Sequence, residues 1–585
     1  MQTLQDLLEK KTTAAIEKAF KAFSIDVLAE IAQCVNEENG HYQCNSALKL
    51  SKLLKKNPRT IAEEIVSHFD RRGDTGQLII DTVEIAGPGF INFVVDKSFL
   101  SKRLENALKD PNLGVSMPQE KKKIIVEFSS PNIAKELHVG HLRSTIIGES
   151  LARLFEFLGH NVLRLNHIGD WGTQFGMLIA YLKKFHPSVI SAEKKAELPE
   201  LMHWYKEAKK LFDEDTVFKK ESQLEVVSLQ KGNQESLKAW KAICDISRKA
   251  FQEIYSLLQV SLEERGESFY NPLLPGVINE AEKSNVVEVS EGAKCIYPPG
   301  FVNREGNPLP LMIQKSDGGY NYDTTDMAAL KHRIEVEKAD RIVVVTDAGQ
   351  SLHFQLVFKA AEMVGFYDSK KVQLDHVTFG LVLGPDGKKF KTRSGTTEKL
   401  IDLIYEGIEH AHKLLEEKIP EMEKNEKNEL AKTLGIAAIK YADLSSVRTK
   451  DYVFSYDRML RFEGNTAVFL LYAYVRIMGI KRKANVNIDH IMNTAKITLD
   501  HPSEISLGLH LLRFSETLQS VEKDLMPNRL ADYLYELAEK FNAFFRDCRV
   551  VGDPAMNSRL LLCEVCGKIL KQGLFILGIN TVERM

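Results

Sequence analysis

Apolar residues recur at three- and four-residue spacing across Leu4–Phe23, which predicts a helix, and two shorter helical patterns bracket Asn57-Pro58 within Ala47–Phe69. From Thr82 to Val95 the pattern alternates and is interrupted by Ala86-Gly87-Pro88-Gly89, a strand–turn–strand signal. A seam rich in proline and charge, Asp110-Pro111 through Met117-Pro118 to Lys121-Lys122-Lys123, closes a small α+β module at residues 1–118. The texture then changes. Ile124-Ile125-Val126-Glu127-Phe128 is the short apolar run of a strand buried on both faces of a parallel sheet. A loop, Ser129–His138, leads into an amphipathic helix from about Val139 to Leu158 and a second strand, Asn161–Asn166, which together make a βαβ unit. The same texture returns at Arg341–Thr346, followed by a turn at Asp347-Ala348-Gly349-Gln350 and a helix through Gly365. Between these halves, Lys183–Arg265 is highly charged and reads as helices inserted into one Rossmann-like parallel-sheet domain, residues 119–400.

Past Glu398 the periodicity is helical almost throughout. Leu400–Glu417 and Leu430–Tyr441 form a connector over residues 401–455. Thr466–Ile480, Leu507–Val521, Leu530–Asp547 and Leu560–Gly573 form an α-helical bundle over residues 456–585. The expected fold class is thus α/β, with an α+β module before the sheet and helices after it. The 585 residues, 44% apolar and 27% charged, can bury several cores, which excludes a disordered or disulfide-stapled chain. With 78 basic and 80 acidic side chains the net charge is -2, so a phosphate-binding surface has to be a local patch. Seven scattered cysteines suit a reducing compartment. No apolar run reaches membrane-spanning length, and the first residues lack a signal-peptide core, so a cytoplasmic protein without membrane partners is expected.

The sharpest chemical signal is His138-Val139-Gly140-His141, at the start of a helix just past a buried strand. A helix N-terminus presents free N–H groups and the positive end of its dipole, where phosphate is stabilised. Gly140 lets a nucleotide approach the backbone, and two imidazoles one turn apart can donate to a phosphate gaining charge. Taken alone the two histidines also fit a plain surface helix start. A second phosphate element is Gly384 to Gly395, a glycine-rich turn that carries Lys388, Lys389, Lys391 and Arg393. It could close over a leaving pyrophosphate, or be a solvated basic turn.

The block Glu127-Phe128-Ser129-Ser130-Pro131-Asn132-Ile133-Ala134-Lys135-Glu136-Leu137-His138-Val139-Gly140-His141-Leu142-Arg143-Ser144-Thr145 resembles the signature of class I arginyl-tRNA synthetases. The likeness continues through Asn166–Gly176, Gly266–Tyr270, Tyr320–Asp326, Asp347–Gln350, Leu530–Ala538 and the closing Val582–Met585, and so covers essentially the whole chain. It implies that arginine and ATP form arginyl-adenylate and pyrophosphate, and that arginine then passes to the 3′-terminal adenosine of tRNA(Arg). Glu127, Ser130, Pro131, Asn132, His141, Tyr322, Asp326 and Gln350 are then expected around arginine and the adenylate. His138, Gly140 and His141 would serve the nucleotide. Arginine needs a carboxylate for its guanidinium fork, which Asp326, four residues from Tyr322 on a nascent helix, could supply.

Lys389-Phe390-Lys391-Thr392-Arg393 occupies the place of the class I K-M-S-K-S loop, but Thr392 replaces the second lysine. The resemblance implies that Lys135, just ahead of His138, compensates. Lys135, Lys389, Lys391 and Arg393 thus join the two histidines as expected catalytic residues. Tyr472, Arg476 and Lys481 are the expected tRNA contacts, since cations beside aromatics suit phosphates and splayed bases, although a charge run on a helix also fits a solvated face. The resemblance also has the 1–118 module touching tRNA. Magnesium is expected only as the companion of ATP, and a monomer is expected. Cys563-x-x-Cys566 lacks a second pair and lies in a helical pattern, so it reads as buried thiols, and no metal site is assigned. The rivals are a synthetase for another amino acid and a non-catalytic tRNA-binding relative. The cysteinyl zinc pattern is absent, and both histidines and the basic turn are present.

Overall fold

The structure, a computed structural model, describes residues 1–21, 27–384, 386–388 and 399–585. They fall into two compact units, one of Gln119–Leu460 and one that combines Met1–Pro118 with Arg461–Met585.

The first unit is built on a five-stranded sheet of β1 (Lys123–Glu127), β2 (Asn161–Asn166), β3 (Glu263–Glu264), β4 (Arg341–Asp347) and β5 (Gln373–Phe379). Their order is β5-β4-β1-β2-β3, every pair parallel. The β-rich run at 124–128 therefore becomes the central strand. Ile125 pairs with Ile342 on one side and Leu163 on the other, and Ile124 to Val126 are buried. The chain leaves β1 toward β2 and β3 and returns on the opposite side with β4 and β5, so the strand order reverses at β1. In open α/β sheets that reversal leaves a crevice at the carboxyl ends of the strands. Helices Leu198–Glu214, Thr216–Gln230 and Gln234–Leu258 lie between β2 and β3, as the charged stretch predicted. A three-stranded antiparallel sheet, Val287–Ser290, Ala293–Ile296 and Leu311–Gln314, was not foreseen, because its strands are short and half polar.

Helix α1 (Val139–Phe157) carries the histidine motif and is buried almost all round from Leu142 to Phe155. At Gly148 an added Cβ would lie 2.2 Å from the Phe128 ring, so the absence of a side chain lets the helix lie against the end of β1. Arg143 anchors the helix. Its fully buried guanidinium donates through Nε to Asp443 Oδ2 at 3.1 Å and through Nη1 to the carbonyl of Gly380 at 2.8 Å, and it lies over the rings of Phe379 and Tyr452. Asp443 belongs to the helix Lys424–Leu444, which follows Leu400–Lys418.

In the second unit a four-stranded antiparallel sheet has the order Ile31–Gln33, Tyr42–Cys44, Phe90–Val95, Ile80–Ala86. The last two strands are the hairpin read around Gly87 and Gly89. Asn57 caps Pro58–His68 by accepting from the Arg59 N–H at 2.9 Å, with Pro58 in the first turn, as the Asn-Pro pair suggested. Glu516, buried in a C-terminal helix, accepts from Tyr42 Oη at 2.8 Å, Gln33 Nε2 at 3.0 Å and the Gln5 N–H at 3.1 Å, so the two ends of the chain share one interior. The helix expected over Leu507–Val521 is two, Pro502–Leu512 and Phe514–Asp524. The break falls at Arg513, whose Nη2 donates to the His41 carbonyl at 2.9 Å, a tertiary bond that apolar periodicity does not report. Cys563 and Cys566 lie buried within Met556–Ile576, and all seven cysteines are free thiols. Among the described residues no helix is long and apolar enough to cross a membrane.

Asp443→Ala would strand the Arg143 charge in the interior. Breaking a buried pair in this way costs roughly 3–5 kcal/mol, so the urea midpoint of the Gln119–Leu460 unit is expected to fall sharply in a circular dichroism titration.

Candidate active site

The loop that leaves β1 is held in an unusual backbone path. Ser129, Ser130 and Ala134 adopt φ of 71°, 44° and 58°, a left-handed region that costs non-glycine residues energy unless their surroundings impose it. Hydrogen bonds do impose it. The Ser129 N–H donates to Ser144 Oγ at 2.9 Å, the Ser130 N–H to Asn166 Oδ1 at 3.0 Å, and the Ala134 N–H to Ser247 Oγ at 3.0 Å. Ser130 Oγ accepts from the His167 N–H at 3.3 Å, and Asn132 forms a bridge with Gly169. A Cβ on Gly169 would lie 2.0 Å from Asn132 Oδ1, so glycine is needed for the Asn132 side chain to sit there. Pro131 is buried and its carbonyl accepts from the Gly169 N–H at 3.0 Å.

The loop delivers the chain to the start of α1. His138 is the N-cap, and its Nδ1 accepts from the Gly140 N–H at 3.1 Å, while His141 Nδ1 accepts from the His138 N–H at 3.1 Å. The rings lie 4.1 Å apart between centroids. A neutral imidazole that accepts at Nδ1 carries its proton at Nε2. Both rings are therefore fixed as Nε2 donors at a helix N-terminus, beside the crevice of the sheet. Burial first, and then the neighbouring His138 and Lys135, push His141 down to about 3, so it remains neutral at physiological pH. Lys135 itself is exposed.

Helix α2 (Tyr322–Glu335) begins at Asn321, whose Oδ1 accepts from the Thr324 N–H at 3.4 Å. Tyr322 and Asp326 occupy its first turns. Asp326 Oδ2 accepts from His353 Nε2 at 2.6 Å, and Asp326 Oδ1 lies 3.7 Å from His167 Nε2. His353 Nδ1 lies 3.2 Å from Asp323 Oδ1, and the Tyr322 ring stands 5.0 Å from the His353 ring. Burial disfavours charge on His353, but its bonds to Asp323 and Asp326 outweigh burial and raise it to about 9. Glu267 is raised to about 7 by burial, then by the Asp326 and Asp170 charges. Gln350 lies exposed in the single turn Ala348–Gln350 after β4, a turn closed by Asp347 Oδ1 accepting from the Gly349 N–H at 2.8 Å.

The structure thus brings Ser130, Asn132, Lys135 and His138 together on one loop that runs into His141 of α1, and His167 links Ser130 of that loop to Asp326 of α2. Glu127 is turned inward, where its carboxylate pairs with Arg333 at 2.5 Å. Lys389, Lys391 and Arg393 lie outside the described residues. In the other unit, Arg476 lies over Tyr472 at 4.8 Å and over Phe545 at 5.1 Å and donates to Asn542 Oδ1 at 2.5 Å; Lys481 pairs with Glu564 at 2.5 Å. Sequence reading missed His353, Glu267, Tyr255 and Phe545. His353 lies three residues past Gln350, at the start of the helix that follows, and an eye for charge partners of Asp326 could have found it. Tyr255, whose hydroxyl meets Ser129 Oγ at 2.8 Å, comes from the inserted helix and left no local signal.

A parallel sheet whose central strand ends in a strained loop and an imidazole-capped helix defines a class I aminoacyl-tRNA synthetase catalytic unit. The comparisons make the class specific. Residues 103–456 match the model of the class I (R) tRNA synthetase catalytic domain, 470–585 the DALR anticodon binding domain, and 6–95 the arginyl tRNA synthetase N terminal domain. The arginine–tRNA ligase of Protochlamydia amoebophila is 59% identical over 589 residues and that of Nostoc punctiforme 49% over 591, each covering 100% of both chains. The solved arginyl-tRNA synthetase of Plasmodium falciparum superposes with a TM-score of 0.87 at 35% identity over 100% of both chains. The chain belongs to the arginyl-tRNA synthetase family.

His138→Ala and His141→Ala are each expected to slow adenylate formation about 10²–10³-fold, the usual loss for one preorganised donor, with tRNA affinity near normal. Single-turnover adenylate formation checks it; unchanged rates in both variants would remove the histidines from phosphate chemistry.

Proposed function

We propose that this chain charges tRNA with arginine in two steps at the crevice between β1 and β4. The arginine carboxylate attacks the α-phosphate of ATP, and pyrophosphate leaves. The 2′-hydroxyl of the terminal adenosine then attacks the arginyl carbonyl, and AMP leaves. The observation that carries the reading is the pair of imidazoles held as Nε2 donors at the start of α1, on the same loop that Ser130 and His167 connect to Asp326 of α2. Little covalent work falls to side chains in such a displacement, so positioning and charge stabilisation dominate. His138 and His141 donate to the phosphate as its charge builds. Ser130 and Asn132 shape the adenylate side, and Gly140 leaves room for the nucleotide beside the backbone. Asp326 and Tyr322 receive the guanidinium end, with Gln350 across from them, and Glu127 supports that wall through Arg333.

Lys135 supplies the cation that Thr392 withholds from the basic turn, and Lys389, Lys391 and Arg393 complete the phosphate clamp. Magnesium arrives with ATP as part of the nucleotide substrate. In the helical unit, the Tyr472–Arg476–Phe545 stack offers a cationic, aromatic platform for a base of tRNA, and Lys481 is a phosphate contact. The free thiols support a cytoplasmic setting. A pyrophosphate-release assay over the twenty amino acids, with and without tRNA, tests the reading; turnover with an amino acid other than arginine would overturn it.

Two substitutions test the assignments. Lys135→Ala is expected to depress single-turnover activation at least as much as Lys391→Ala; a silent Lys135→Ala beside a crippled Lys391→Ala would return the work to the basic turn. Asp326→Asn keeps the shape but loses the charge. At roughly 3–5 kcal/mol for a broken buried pair and 1.36 kcal/mol per decade, kcat/KM for arginine is expected to drop about two to four decades while KM for ATP moves little. Pyrophosphate exchange with arginine titrated at saturating ATP measures it.

A further inference from the structure

We infer that His353 is a positioning residue for arginine: its imidazolium holds one oxygen of the Asp326 carboxylate and leaves the other to meet the guanidinium. The inference rests on the reading of Asp326 as the arginine ligand. A carboxylate can take a guanidinium fork with both oxygens only when both are available. Here Asp326 Oδ2 already gives one lone pair to His353 Nε2 at 2.6 Å, which leaves Oδ1 the less engaged oxygen and fixes the plane in which it meets a donor. The other ring nitrogen of His353 lies 3.2 Å from Asp323 Oδ1. Each ring nitrogen therefore faces a carboxylate, and only the doubly protonated ring donates to both. A neutral ring would leave a lone pair against one of them and release that side chain.

Charge balance agrees. Asp323 and Asp326 carry two negative charges, and the imidazolium with the guanidinium would neutralise both. The groups that bear on His353 are Asp323, Asp326 and Tyr322 from α2, and His376 from β5, which burial lowers to about 4 and which therefore stays neutral. Beyond Asp326 stand His167, 3.7 Å from Oδ1, and Glu267. Glu267 titrates near 7, well below His353 near 9, so its effect is complete before the His353 proton leaves. Because the folded pKa is raised, the lock is present at neutral pH and is lost as the pH climbs through about 9.

The test is the KM for arginine of the full-length enzyme from pH 7 to 10.5, in wild type, His353→Gln and Asp326→Asn, with kcat and KM for ATP recorded throughout. The α-amino group of arginine titrates in the same range but does so against every variant, so the signal is the difference between profiles. In wild type, KM for arginine is expected to rise about tenfold or more through pH 9, the usual scale for one hydrogen bond to a charged group. His353→Gln is expected to have a KM already raised about tenfold at pH 7.5 and to lack that rise, with kcat and KM for ATP little changed. A rise shared by wild type and His353→Gln overturns the inference, as does a His353→Gln that loses kcat instead of arginine affinity. Should His353→Gln not fold, His353→Asn takes its place, and a wild-type profile no steeper than the α-amino group requires overturns the inference without any variant. If Asp326→Asn leaves KM for arginine unchanged, the pocket reading itself falls. If Asp326→Asn raises it while His353→Gln does not, the pocket stands and the role of His353 alone is refuted.

Discussion

An α-helix that begins at the mouth of a parallel sheet has backbone N–H groups with no partner inside the helix. In this protein imidazole nitrogens accept two N–H groups at that start, those of His138 and Gly140. The site's chemistry follows from that capping. Because Nδ1 of each ring is occupied as an acceptor, the proton is held at Nε2, and the same bonds that end the loop orient the donors. The capping holds only if the helix itself cannot shift. Arg143, buried between Asp443 and the carbonyls of Gly380 and Lys450, supplies that rigidity from the opposite side of the same turn.

The strained path of residues 129–134 has a related origin. Three residues other than glycine sit at positive φ, each neighboured by donors or acceptors from β2, α1 or the inserted helix. The insertion therefore takes part in holding the loop. Ser247 and Tyr255, both on Gln234–Leu258, hold the loop in place. On α2, Asp323 and Asp326 hold His353 between them, and their bonds favour the charged imidazole.

The second unit solves a different problem, that of joining segments from the two ends of the chain. Glu516 does so with three hydrogen bonds to residues of the first 42, and Glu37 receives Lys540 at 2.9 Å and Ser506 Oγ at 2.7 Å. Burial favours protonation of Glu516, and its donors compensate for part of that cost, as a buried carboxylate requires.

What the chain's own pattern determined was the local part. Periodicity and punctuation placed β1, α1, β2 and β4 to within a residue or two, because a buried parallel strand leaves a short apolar run and a helix laid on the sheet leaves apolar residues at three- and four-residue spacing. The histidine motif was legible for the same reason, since its two imidazoles lie one turn apart in a single segment. The tertiary structure alone decided the rest. The break at Arg513 depends on the His41 carbonyl, the inward turn of Glu127 on Arg333, and the bonding of Asp326 on His353 and His167, each partner lying on a separate element. Periodicity records which face of an element is buried, whereas the charge and orientation of a buried side chain are set by whatever the fold places against it.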